Sequence, residues 1–180
     1  MQITLDTNLT EAETFSIGAI VAQWSVLENE IFDQTLLSFD GGDEELPNGM
    51  NNAQFSGVLE TWNERVAKIA KEPRRKILEQ QYDAIKRLNH FRRAIVHSRW
   101  NWQPDKPDEI TAVRVHKKSI ISVKFTTKDL FDLESEIAQI RFLVNFPGGT
   151  EEYMQSRSEQ SLIVSRKGFS LLTGRQRIDD

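Results

Sequence analysis

Residues 87–98 read Arg87-Leu88-Asn89-His90-Phe91-Arg92-Arg93-Ala94-Ile95-Val96-His97-Ser98, and the pattern they continue decides the fold. Upstream, Leu78, Tyr82, Ile85 and Leu88 recur at steps of three and four, and Val96 extends the series. Such steps place apolar side chains on one side of an α-helix. They predict a helix over 74–98, begun by Pro73, which stops the preceding helix and fits the first turn of the next. Arg92 falls seven residues after Ile85 and four before Val96, on the apolar stripe where Leu would be expected. A guanidinium there is costly unless an anion or a water-filled cleft receives it.

Outward from this segment the same period recurs. Thr10-Glu11-Ala12-Glu13 has the form of a capping box, and Ile17, Ile20, Trp24, Leu27 and Ile31 follow on one face. A helix over 11–39 is expected. Glu28, four residues after Trp24, lies on its inward stripe and is a ready ion-pair partner for Arg92. Phe55, Leu59, Trp62, Val66 and Ile69 mark a second helix over 52–71, after an acidic Gly- and Pro-containing loop at 40–49. Beyond Ser98 the period drops to two. Residues 110–115 and 120–125 alternate, with Val113, Val115, Ile121, Val123 and Phe125 apolar and His116-Lys117-Lys118-Ser119 between them. That pattern predicts a β-hairpin. Thr127 then caps a helix over 128–146 carrying Leu130, Leu133, Ile137, Ile140 and Val144, ended by Pro147-Gly148-Gly149. A short helix is expected around Glu159 to Lys167. The fold class is mainly α, with a small hairpin inserted before the fourth helix.

At 180 residues one domain is expected, with a core over about 12–146 and a C-terminal extension over 147–180. The absence of cysteine excludes disulfides, Cys-ligated zinc and thiol nucleophiles. Three histidines in the whole chain exclude a His-rich metal site. There is no Gly-rich phosphate loop, no His-Glu-x-x-His and no Gly-x-Ser-x-Gly. No cofactor is implied. No secretory leader and no membrane span are read from the sequence, so the expected location is the cytoplasm.

The net charge of −4 hides a segregation. Residues 1–61 hold 11 acids and no Lys or Arg, whereas residues 62–100 hold 11 Lys or Arg against 4 acids. Such asymmetry marks either a footprint for an anionic partner or a basic helix that neutralises the acidic N-terminal helix within the fold or pairs with another subunit. Within the basic segment His97 is the natural acid–base residue, since imidazole is the side chain best suited to proton transfer at physiological pH. On an ideal helix His97 lies five residues and about 140° from Arg92, whereas Arg93 shares its face.

Arg92 to His97 fits the Arg-x4-His pattern of the HEPN superfamily. His97-Ser98-Arg99-Trp100 resembles that superfamily's His-small-x-Trp ending, and Trp24-Ser25-Val26-Leu27-Glu28 resembles its opening helix. The resemblance covers roughly residues 12–145. It implies an up-and-down bundle of four to five helices with the hairpin as an insertion. It also implies a metal-independent endoribonuclease of toxin or phage-defence type, a homodimer whose two motifs share one cleft. In that family's terms Arg92 and His97 would be catalytic, and Arg93, Arg87, Lys86 and Glu28 would bind RNA phosphates or support them. An antitoxin or other protein partner is a further expectation. Arg93 stands where the family usually carries Asn or another small polar residue, so a non-catalytic dimerisation or partner-binding module is the alternative.

Overall fold

Thr10 opens the first helix by reciprocal capping. Its hydroxyl accepts from the Glu13 N–H at 3.2 Å, and the Glu13 carboxylate accepts from the Thr10 N–H at 2.7 Å. The computed structural model describes residues 8–39, 46, 50 and 55–159. In chain order these form α1 (Glu11–Leu37), α2 (Phe55–Trp62), α3 (Arg74–His97), β1 (Arg99–Gln103), β2 (Lys106–His116), β3 (Ser119–Thr126), α4 (Thr127–Asn145) and α5 (Thr150–Glu159). The protein is mainly helical with a small three-stranded antiparallel sheet. Two compact units divide it, Met1–Pro147 and Gly148–Asp180.

In the first unit the core is built by Ile20, Trp24, Leu27 and Ile31 of α1, Val58, Leu59 and Trp62 of α2, Ile85 and Leu88 of α3, and Leu130, Ile137 and Ile140 of α4. Polar clamps lock α1 to α4. Arg141 donates from Nε and Nη2 to the two oxygens of Glu30, at 3.1 and 2.9 Å, and from Nη1 to Gln23 at 2.8 Å. The fork suits a carboxylate, which is why Lys would be a poor substitute there. In the second unit α5 carries a tie from Arg157 Nε to the Tyr153 hydroxyl at 3.0 Å.

Several expectations are corrected. The sheet has three strands rather than two: Arg99–Gln103, which follows the expected helix end at Ser98 and belongs to no expected element, pairs with β2 from Arg99↔Val113 to Trp102↔Ile110. The hairpin closes through Lys117-Lys118, with φ of 47° and 66°, so both lysines take the left-handed conformation of a type I′ turn. On β3 the expected parity holds, with Phe125 buried and Val123 against the core, but on β2 it is reversed. Ile110 and Ala112 are buried, while Val115 is 74% exposed beside its partner Ile120. A one-residue change of parity exchanges the two faces of a strand.

The second helix ends earlier than expected. After Trp62 it widens into a π-helical turn over Asn63–Ala67, whose extra residue rotates the faces that follow. Ile69 is therefore exposed and Ala67 buried. Thr126 rather than Thr127 caps α4. Its hydroxyl accepts from the Asp129 N–H at 3.1 Å, while its own N–H and hydroxyl donate to Asp129 and hold that carboxyl below its usual value. Pro73 takes the N-cap position of α3. Glu159 ends α5 instead of starting a helix, and residues 160–167 lie outside the described residues, as does the acidic loop at 40–49 except Leu46.

Candidate functional site

α3 stays regular to His97, so the positions of its cations follow from a step of about 100° per residue. Near its end the buried side changes neighbour. Phe91 meets Phe125 of β3 edge-to-face at 6.3 Å, and Ala94 and Ile95 are buried. Val96, expected inside, is 40% exposed, because the helix turns Phe91, Ala94 and Ile95 to the core where the sheet joins it.

Arg92 keeps its place on the stripe between Leu88 and Ile95, but the core is open there. Its Nη2 stands 3.6 Å from Glu28 Oε1, with 27% of each side chain exposed. That separation is an ion pair beyond hydrogen-bond length. Glu28 Oε1 also accepts from Trp24 Nε1 at 2.8 Å, so a buried indole aims the carboxylate. A fully buried pair would cost about 3–5 kcal/mol to break. Here about a quarter of each side chain is exposed and the separation is 3.6 Å, so Arg92→Ala should cost less than that, about 1–2 kcal/mol. Thermal melting of the variant checks this, and a loss of several kcal/mol would make Arg92 a structural residue.

A second set lies elsewhere on the helix. Lys86, His90, Arg93 and His97 are spaced four, three and four, and all are exposed. That spacing makes one continuous stripe. Among the described residues no hydrogen bond or ion pair engages the side chains of His90, Arg93 or His97; the His90 ring only meets Phe91, edge-on at 5.7 Å. Lys86 Nζ donates to Tyr82 at 3.0 Å and to Glu60 at 3.1 Å. The Tyr82 hydroxyl donates to Glu60 and lowers its carboxyl, while Tyr82 and Glu60 together raise the Lys86 ammonium. Arg87 pairs with Glu136 of α4. Both basic side chains are about half exposed, so these pairs are worth little and yield readily to a phosphate.

No family model, curated protein or solved structure matches the chain. Among the described residues no group of three or more His, Asp or Glu side chains could hold a metal ion, and no helix is long and apolar enough to cross a membrane.

Of the expected site residues, Arg92 and Glu28 are brought together, and Arg93 shares a stripe with His97 and Lys86. Arg92 and His97 are not brought together within one chain, since the helix neither frays nor turns between them. Sequence reasoning missed His90, whose place four residues after Lys86 and seven before His97 was legible. It also missed Arg114. The pair Arg99↔Val113 sets Arg114 beside Ser98, and Arg114 Nε and Ser98 Oγ are both buried without a hydrogen-bond partner. A cation at the inward parity of a strand was the available signal.

Proposed function

We propose that the protein is a HEPN-like endoribonuclease that needs no metal ion and acts as a homodimer with a composite site, in the manner of toxins and phage-defence effectors. The observation that supports this best is the end of α3. There, among the described residues, no hydrogen bond or ion pair engages the exposed side chains of His90, Arg93 and His97, while Arg92 meets Glu28 at 3.6 Å. RNA carries its own nucleophile, so a protein need supply only proton transfer and charge stabilisation. The 2′-oxygen attacks the adjacent phosphorus and the bond to the 5′-oxygen breaks. His97 moves a proton in that exchange. Arg92 holds the charge growing on the phosphoryl oxygens, and Glu28 keeps its fork in place. Arg93, Arg87 and Lys86 seat the flanking backbone.

Two chains are required because Arg92 and His97 of one chain lie about 140° apart on α3. A single imidazole also cannot serve as acid and base at once. Light scattering at tens of micromolar should give twice the chain mass of 20.8 kDa. A monomer throughout that range would remove the composite site. The test of the activity itself is cleavage of single-stranded RNA by the wild type in EDTA.

One observation favours the alternative of a partner-binding module. Arg92 already has an anion within its own chain, fixed by Trp24. On that reading the exposed stripe docks an acidic partner such as an antitoxin, and no RNA is cleaved.

A further inference from the structure

A cleft of about 420 Å³ opens between α1 and α2, lined by Glu28, Asn29, Phe32, Phe55 and Val58. Its composition is specific. Phe32 follows Glu28 by one helical turn, so both lie on the same side of α1. The Phe55 ring is held edge-on against buried Trp24 at 6.0 Å, and Val58 is buried beneath. Two half-buried aromatic rings thus flank a carboxylate and an exposed amide. Both known contacts of Glu28 fall on Oε1, from Trp24 and Arg92, and among the described residues Oε2 receives no hydrogen bond. The cleft therefore has flat apolar walls, two free acceptors, and a half-exposed guanidinium at its edge.

We propose that this cleft receives a guanine base of single-stranded RNA, stacked on Phe32 and Phe55, with its Watson–Crick edge on Glu28 and Asn29. Splayed bases of single strands are recognised in this way, by aromatic stacking together with hydrogen bonds to the base edge. Guanine alone among the four bases offers two neighbouring donors on that edge, N1–H and the 2-amino group. Glu28 Oε2 accepts the first and Asn29 Oδ1 the second. Uracil offers one donor between two acceptors, which would face the carboxylate unfavourably. A base seated here lies beside Arg92, the residue assigned to the phosphate, so the cleft would set which nucleotide flanks the cut. This assignment rests on RNA being the substrate.

Calorimetric titration of the full-length protein with GMP, IMP, UMP and ribose 5-phosphate tests it without any cleavage. GMP should bind at least about tenfold tighter than UMP or ribose 5-phosphate, and Phe32→Ala should lose about tenfold or more of that affinity. Asn29 is exposed and its side chain makes no hydrogen bond among the described residues, so Asn29→Ala folds even where Phe32→Ala does not. IMP lacks the 2-amino group, so Asn29→Ala should erase the gap between GMP and IMP that the wild type shows. Ribose 5-phosphate binding as tightly as GMP overturns the proposal, as does a GMP–IMP gap unchanged in Asn29→Ala. The two readings fail separately. RNA cleavage whose base preference ignores Phe32 and Asn29 removes the cleft but keeps the ribonuclease. Phe32-dependent GMP binding by a protein that cleaves no RNA keeps the cleft and removes the ribonuclease.

Discussion

His97→Ala should slow cleavage of single-stranded RNA by about 10²–10⁴-fold, the range for losing a general acid or base. The fold should survive, because the imidazole is exposed and engages no side chain among the described residues. Arg92→Lys should also lose most activity, since an ammonium offers a point charge where a planar fork grips two phosphoryl oxygens. The comparison is clean because Arg92→Lys keeps a cation opposite Glu28 in a pair that is not fully buried. A fully buried pair would confound lost chemistry with lost stability, whereas here melting temperatures should stay close to the wild type. The assay is gel-resolved cleavage in EDTA with all three proteins at equal concentration. Cleavage that persists in His97→Ala, or that requires added divalent ion, ends the proposal. Inactivity of the wild type on every RNA leaves the partner-binding module as the better account.

The helical part of the fold was legible because each long helix carries one apolar stripe at steps of three and four. Ile20, Trp24, Leu27 and Ile31 lie buried where that period puts them, and Thr10 caps where a capping box predicts. The errors collect where a neighbour, rather than the local period, decides burial. Val96 continues the stripe of α3 by spacing, yet the sheet takes Ala94 and Ile95 into the core instead. That sheet edge was hidden because Arg99-Trp100-Asn101-Trp102 contains only two alternating aromatics, too short a run to signal a strand. In the hairpin Phe125 and Val123 of β3 face the core as expected, but on β2 the valines suggested one parity and the packing chose Ile110 and Ala112, since both faces of that strand carry apolar residues. Ile69 was displaced by the π-helical turn, whose hydrogen bonding leaves no periodic signature.

The candidate site divides the same way. Arg92 on an apolar stripe and Glu28 opposite it were readable, because a charge at a core position has to find an answer. The stripe that adds His90 to Lys86, Arg93 and His97 follows from the same arithmetic. The cleft of Phe32 and Phe55 was not readable. It depends on how closely α1 and α2 approach, and both phenylalanines look like ordinary core residues in sequence.

Trp62→Ala should be among the most destabilising single changes in the protein, costing about 3–5 kcal/mol. Trp62 is fully buried at the end of α2. Its Nε1 donates to Gln34 Oε1 of α1 at 2.9 Å, and Gln34 Nε2 donates to the Val144 carbonyl of α4 at 3.3 Å. One indole therefore ties three helices through one amide. Removing it leaves a cavity the size of two rings and takes the donor from the Gln34 carbonyl, a part-buried acceptor, which adds about 1 kcal/mol. Thermal melting should fall by about 10 °C for a chain of this length. Trp62→Phe separates the two causes, because it keeps most of the volume and loses only the hydrogen bond. Its loss should be a minor part of the alanine value. The same clamp fixes the part of α1 that carries Glu28, so Trp62→Phe should retain RNA cleavage if packing alone sets that register. A melting temperature within about 2 °C of the wild type for Trp62→Ala would mean that α1, α2 and α4 do not share this core.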